Sequence, residues 1–205
     1  MNPDEVLDFL KSRRSIRKFK KNAVPDKDIH RAIEAASYAP SNGNYQPWKF
    51  LYIQNEDSRK GLEKIVIDKI EVISKGIERE EWRDEFQHYS RYFTFFINAP
   101  ALIVALYKRA PSTLRKILKN NEINQTRSEL ASISAAIQNM LLMLHAMGYG
   151  ACWMTGPLLV AKEEMEEFLD IRRPFEIASL IPFGIPEKRP DPPRRKELRK
   201  VLAKI

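Results

Sequence analysis

Cysteine is nearly absent from this sequence. The one residue of its kind, Cys152, rules out an intrachain disulfide framework, and the three histidines, His30, His88 and His145, lie too far apart in the chain to join it as a ligand set. No metal site is expected. Glycine is scarce, with 7 in 205 residues, and there is no repeat, low-complexity tract or flexible linker, which excludes fibrous and disordered architectures. A long uninterrupted apolar run is missing as well. The most apolar long stretch, Ile133 to Met147, is broken by Ser134, Gln138, Asn139 and His145, so it reads as a buried helix rather than a membrane span. The leading MNPDEVLDFL is acidic and amphipathic, unlike a secretion signal. These absences point to a cytoplasmic protein with no membrane association.

What the chain does contain is enough apolar content for a sizeable core, 43% of residues, in a length that fits a single domain spanning 1–205. It also carries a formal charge of +8. A solvated basic surface and an anion-binding surface both account for that charge. Much of it sits in KSRRSIRKFKK near the start and EKRPDPPRRKELRK near the end. Neither block interleaves aromatic residues in a stacking pattern and no nucleic-acid motif is present, so nucleic acid is not the expected partner.

Local signals place the elements. Asn2, Pro3, Asp4 and Glu5 predict the start of a first helix that buries Val6, Phe9 and Leu10 and ends near Lys11. A second begins at Asp26, with Ile29, Ala32, Ile33 and Ala36 as its apolar stripe. Trp48–Gln54 reads as a strand, Ser58–Ser74 and Glu78–Tyr92 as helices, and ALIVALY, Ala101–Tyr107, as a fully buried strand. Thr126 and Glu129 form a T-x-x-E capping box for a long helix that Gly148 and Gly150 stop. ACWM, Ala161–Leu169 and Glu176–Phe183 read as strand, surface helix and strand, followed by a Pro-rich tail and a short basic helix. Helices and strands mix without regular βαβ alternation, so the class is α+β.

Four segments carry possible chemistry. In an extended RRSIRKF (Arg13–Phe19), Arg13, Ser15 and Arg17 share one face, suited to a phosphate or a planar carbonyl edge; a solvated basic segment is the plain alternative. The loop within SYAPSNGNYQPWKF offers Ser41, Asn42, Asn44 and Gln46 as short donors and acceptors for a polar heterocycle or a polyol, although Asn-Gly and proline also serve an ordinary turn. GYGACWMTGP (Gly148–Pro157) combines small residues that permit close approach of a flat ligand or simply enter and leave a strand. In FGIPEKRPDPPRRKEL, Arg194 and Arg195 precede the last helix and can reach a phosphate or remain solvated.

The order of these segments resembles the nitroreductase family of FMN-dependent oxidoreductases. The likeness is close over residues 5–54 and 126–200 and loose over 55–125. It implies a nitroreductase-like α+β fold with a central, mostly antiparallel sheet flanked by helices, a long buried helix at a homodimer interface, and a C-terminal tail, residues 184–205, reaching the partner subunit. It implies FMN contacts from Arg13, Arg14 and Ser15 at the phosphate end and from Arg17 at the N1/C2-carbonyl edge. Pro40, Ser41, Asn42, Asn44 and Gln46 would line the partner's flavin. Met154, Thr155 and Gly156 match the segment that passes flavin N5, with Thr155-Gly156 standing where many relatives carry Glu-Gly. Arg195, with Arg194 competing, would meet the phosphate. NADH or NADPH would be the reductant and a nitroaromatic or quinone the small-molecule acceptor, in a ping-pong cycle that needs no catalytic side chain, because the flavin carries the chemistry. Other flavin chemistry, reductive dehalogenation or flavin breakdown, stays open, although a lid of spaced Glu, Tyr and Lys is not evident between Glu78 and Lys108. A non-redox basic binding protein stays open too. Cys152 and Trp48 are expected in the core, His145 at an interior or interface position. Trp82, Phe86, Tyr89, Tyr92, Phe93, Phe95 and Phe96 are expected to be mainly helix packing rather than a pocket wall.

Overall fold

The computed structural model describes residues 2–108 and 128–204. Its frame is a four-stranded antiparallel sheet in the order β1-β2-β4-β3, with β1 at Trp48–Tyr52, β2 at Ala101–Lys108, β3 at Gly150–Ala151 and β4 at Phe175–Gly184. The central β2 is covered on both faces, which is why ALIVALY is apolar without alternation. Ala101, Ile103, Ala105 and Tyr107 face one layer with Ile181 and Phe183 of β4. Leu102, Val104 and Leu106 face the other with Ile177 and Leu180. The register slips once, between Ala105 and Leu106, where Ala178 is the extra residue of a bulge. Pro182 is tolerated in β4 because its carbonyl accepts from Cys152 N–H (3.1 Å), so its missing donor falls on the side where β3 is only two residues long.

The first layer is built by α2 (Asp26–Ser37) and α5, whose described part runs Ser128–Ala146. Ile29, Ala32 and Ala36 of α2 are buried, as the stripe predicts, against Ile133, Ala136, Ile137, Met140 and Leu144 of α5. Thr126 of the capping box lies outside the described residues. The other end of α5 closes as a Schellman motif. Gly148 takes φ +87°, its N–H donates to His145 O (3.0 Å), and Tyr149 N–H donates to Leu144 O (2.9 Å). The second layer contains α3 (Glu56–Gly76), α4 (Glu80–Ser90) and α6 (Leu158–Phe168), with Leu62, Val66, Phe93, Phe96 and Met165 against the sheet. Among the described residues no helix is long and apolar enough to cross a membrane.

Two expectations need correcting. The first helix, α1 (Pro3–Ser12), has the predicted Asn2 cap, completed as a capping box by Glu5, but none of its residues is fully buried. Val6 and Phe9 are half-covered and Leu10 is exposed, because the helix meets the protomer along one narrow edge at His145. The last basic helix is a single 3-10 turn, Leu198–Lys200, with Leu198, Val201 and Leu202 exposed.

Candidate functional site

Residues 13–20 run extended along the sheet, held by main-chain bonds on both sides. Ile16 N–H donates to Ala151 O (3.0 Å), Lys20 N–H to Ile185 O (2.8 Å), and Glu187 N–H to Lys18 O (3.2 Å). Ile16 and Phe19 are the pegs, both buried with Ala99. Gly150 is glycine for a local reason. A Cβ there would stand 2.4 Å from Ile16 Cγ1 and 2.7 Å from its Cβ. Opposite Ile16, Ser15 and Arg17 turn out as a strand period predicts, but the alternation stops there: Phe19, of the same parity, is buried, and Arg13 lines a different cleft. Ser15 and Arg17 line a cavity of about 360 Å³ with Lys18, Lys188, Pro190 and Asp191. The Arg17 guanidinium lies 5.9 Å from the centre of the Phe95 ring, a cation–π contact that limits its rotamers.

Arg13 and Arg14 behave differently. Arg14 Nη1 donates to Lys11 O and to Arg13 O (2.8 Å), so much of its capacity goes to closing the C-terminus of α1. Arg14 also borders a cavity of about 590 Å³ with Arg195, Pro192 and Pro193; Arg194 does not line it. Arg13 faces a narrow cleft with Arg14, His145, Tyr149 and Arg189. Among the described residues, Arg13, Arg17, Lys188 and Arg189 have no ion-pair partner. Lys188 and Arg189 are site residues that sequence reasoning passed over as part of a basic block. They arrive here because the chain after β4 pairs with Lys18 and Phe19.

His145 Nε2 is 2.6 Å from Ser12 Oγ, and the ring tilts against Phe9 at 5.0 Å. Burial holds its pKa down, and Arg189, Arg13 and Arg14 push the same way. Cys152 is buried, as expected, and its thiol pKa is raised by that burial, with Arg17, Ser15 and Arg13 opposing. Tyr149 donates to Asp28 Oδ2 (2.7 Å), tying β3 to α2. Burial first, then this acid, moves its hydroxyl up to about 12.

The Pro40–Gln46 loop is exposed at Pro40, Asn42, Asn44 and Gln46 and half-covered at Ser41. It is also unusual in backbone: Gly43, Asn44 and Gln46 take φ of +58°, +53° and +48°. Its own side chains hold it there. Gln46 N–H donates to Ser41 Oγ (3.0 Å) and Gln46 Nε2 to Asn44 Oδ1 (3.1 Å). The loop packs beside α5. Trp48 is half-buried and packs on the first layer, consistent with an anchor.

On the other side of the sheet end, Met154 is buried, and both its N–H and its C=O bond to Leu180 at 2.9 Å. Its N–H is therefore taken. Thr155 is exposed, and among the described residues neither the Thr155 nor the Gly156 N–H has a partner. The small residues of this segment do not leave empty space. A Cβ on Gly156 would sit 2.5 Å from the Phe93 ring. Of the aromatic residues on and after α4, Phe93 and Phe96 are core, whereas Trp82, Tyr89 and Tyr92 are more than half exposed.

The Nitroreductase family profile matches residues 10–185. A Bacillus subtilis (strain 168) protein, YfhC, whose name proposes an NAD(P)H nitroreductase, is 28% identical over 195 residues, 95% of this chain and 91% of that one. A BluB-like flavoprotein from Clostridium difficile 630 superposes with TM-score 0.88 at 24% identity, covering 98% of both chains. An oxidized iodotyrosine deiodinase bound to FMN and 3-iodo-L-tyrosine superposes with TM-score 0.71 at 24% identity, over 94% of this chain and 96% of that one. The pegged Arg-Ser-x-Arg edge, the strained polar loop and the antiparallel sheet thus sit in a chain that belongs to the Nitroreductase family.

Proposed function

We propose that this chain is an FMN-dependent oxidoreductase that accepts reducing equivalents from NADH or NADPH and delivers them, by a ping-pong cycle, to an electron-poor small molecule such as a nitroaromatic or quinone. The carrying observation is the outward row of Ser15 and Arg17, pinned by Ile16 and Phe19 and left without carboxylate partners. Unpaired guanidinium groups on a rigid edge suit a phosphate and an electron-rich ring edge. The donor set fits FMN: cations for the phosphate, free main-chain N–H groups for a ring nitrogen, and short polar side chains for a polyol.

When bound, FMN supplies hydride-transfer chemistry that no side chain here can supply. Arg13, Arg14, Ser15 and Arg195 hold the phosphate. Arg17, steadied by Phe95, keeps a fixed positive charge at the pyrimidine edge and favours negative charge there. Because the Met154 N–H is engaged, the donor to the central ring nitrogen comes from Thr155 or Gly156. Pro40, Ser41, Asn42, Asn44 and Gln46 serve the flavin of a second subunit, from a loop that lies beside α5, the helix read as the dimer seam. A homodimer also covers the exposed Leu7 and Leu10 of α1 and the apolar Leu198, Val201 and Leu202 of the tail, residues 184–205.

The test is the visible spectrum of the purified protein before and after anaerobic addition of NADH or NADPH. A flavin spectrum that bleaches is the expected result. A colourless protein that takes up no added FMN overturns the reading in favour of a basic binding protein. Turnover of iodotyrosine but not of nitroaromatics or quinones, at equal flavin loading, would reassign the acceptor to halogenated substrates.

A further inference from the structure

The narrow cleft behind the phosphate end holds a group with no role in that reading. His145 projects from α5 toward three guanidinium groups, Arg13 and Arg14 from the extended segment and Arg189 from the chain after β4. Its other neighbours are Phe9 and Ser12 of α1 and Tyr149. Asp8 pairs with Lys11 (3.0 Å) and Asp28 accepts from Tyr149, and neither lines the cleft. The fixed charges that line the cleft with the imidazole are all cationic. The cleft has space for about one water, so an anion meets the arginines at its mouth and not against the ring.

The Ser12 hydroxyl, assigned as donor to Phe9 O, sets which ring nitrogen is left to titrate. Ser12 Oγ lies 2.8 Å from Phe9 O, and its single hydrogen goes there. Toward His145 it is an acceptor at 2.6 Å, so the neutral ring carries its hydrogen on Nε2. A second proton enters at Nδ1 without breaking that bond. With three cations in attendance the second proton is disfavoured. With a phosphate dianion on those cations the objection is removed.

We propose that Arg189 is a further phosphate-binding residue and that His145 is a proton-uptake partner of the same subsite, taking one proton from solvent at Nδ1 when a phosphate monoester dianion is bound by Arg13, Arg14 and Arg189. This inference rests on the FMN reading for the identity of the phosphate. A lone phosphate ion has the same chemistry, so the arms of the test separate the two. The cofactor's affinity thereby gains a proton term: protonated His145 favours the phosphate, and the phosphate favours protonated His145 by the same factor.

The experiment is a proton NMR titration of the His145 ring signal, assigned by its loss in His145→Gln, in the free protein and with inorganic phosphate, riboflavin or FMN. The expected result is a pKa below the ordinary histidine value in the free protein, raised by FMN and by phosphate and unmoved by riboflavin. Arg189→Gln should raise the free-protein value and weaken FMN, not riboflavin, on the order of tenfold, as expected for loss of a charge-assisted contact. Across pH 5.5 to 8, FMN affinity in the wild type should change relative to His145→Gln by roughly fivefold, the size of a charge interaction across a partly solvated gap. If FMN binds and the His145 pKa does not move, the inference fails while the flavin reading stands. If neither FMN nor riboflavin binds, the flavin reading fails, and the phosphate arm alone decides the inference: no shift with phosphate overturns it.

Discussion

Gly150→Ala tests whether the placement of the site depends on one missing methyl group. The backbone at Gly150 is outside the left-handed region, so alanine meets no conformational penalty, and the whole effect comes from the new Cβ. That atom would stand 2.4 Å from Ile16 Cγ1, 2.7 Å from Cβ and 2.9 Å from Cγ2. Rotating χ1 of Ile16 moves Cγ1 and Cγ2 but not Cβ, so the main chain must retreat by about 1 Å to regain a normal carbon contact. Overpacking of this kind costs about 1–3 kcal/mol. The retreat also stretches the Ile16 N–H bond to Ala151 O, now 3.0 Å, with a net value of about 1 kcal/mol. A loss of about 2–4 kcal/mol follows, and a melting temperature lower by about 5–15 °C for a chain of this size. Because the retreat carries Ser15 and Arg17 with it, FMN affinity should fall as well. Urea unfolding with matched fluorescence titration of FMN checks both. Ile16→Ala in the same background should relieve part of the clash, giving a coupling of about 1–2 kcal/mol in the double-mutant cycle. A Gly150→Ala protein within about 0.5 kcal/mol of wild type, a normal range for an inert surface change, would refute the reasoning.

Three other outcomes are expected. Arg17→Ala removes the cation beside Phe95 and should lower the flavin reduction potential and weaken FMN binding; dye equilibration and fluorescence titration that both leave wild-type values would discard its assignment to the pyrimidine edge. Lys162→Met removes a cation 2.7 Å from Glu176, whose side chain is 3% exposed and also meets Arg173 and the Tyr107 hydroxyl (3.1 Å). Stability should drop by about 2–4 kcal/mol, and an unchanged urea midpoint would show that the buried carboxylate does not depend on that cation. For pH, the folded-state pKa of His145 is lowered from its ordinary 6.5, so the unfolded chain binds the proton more tightly. Its contribution to stability is present above about 6.5 and is lost as pH falls toward the lower folded value. Flavin-free protein should therefore melt at a lower temperature at pH 5 than at pH 7, and His145→Gln should flatten that slope.

Much of the frame was legible because it is local. The two-sided burial of ALIVALY, the stripe on α2, the Asn2 cap and the glycine stop after α5 each rest on residues within a few positions of one another. The outward face of Ser15 and Arg17 was legible from a period of two, but the same period put Arg13 with them, and Arg13 lines a separate cleft. What escaped the sequence depends on pairing across the fold. Lys188 and Arg189 looked like tail charge until the chain after β4 was seen to bond with Lys18 and Lys20. Phe95 gave no sign that it would meet Arg17, 78 positions earlier in the chain. The glycines of GYGACWMTGP suggested room for a ligand, yet Ile16 and Phe93 occupy the space at two of them. Absence of a side chain in a sequence does not say whether a ligand or a neighbour takes its place. The open flank of α1 was hidden because an amphipathic pattern gives the width of an apolar stripe and not the identity of what covers it.

The Pro40–Gln46 loop has a kinetic consequence. Its left-handed residues are held by the loop's own Ser41, Asn44 and Gln46 hydrogen bonds, so the unfavourable torsions are supported from within the loop and need no contact from outside it. A molecule arriving at this loop finds no segment waiting to be ordered. Its association rate should rise in proportion to concentration, without the plateau that marks a slow rearrangement before capture. Selectivity would then be written in how long the molecule stays rather than in how quickly it arrives.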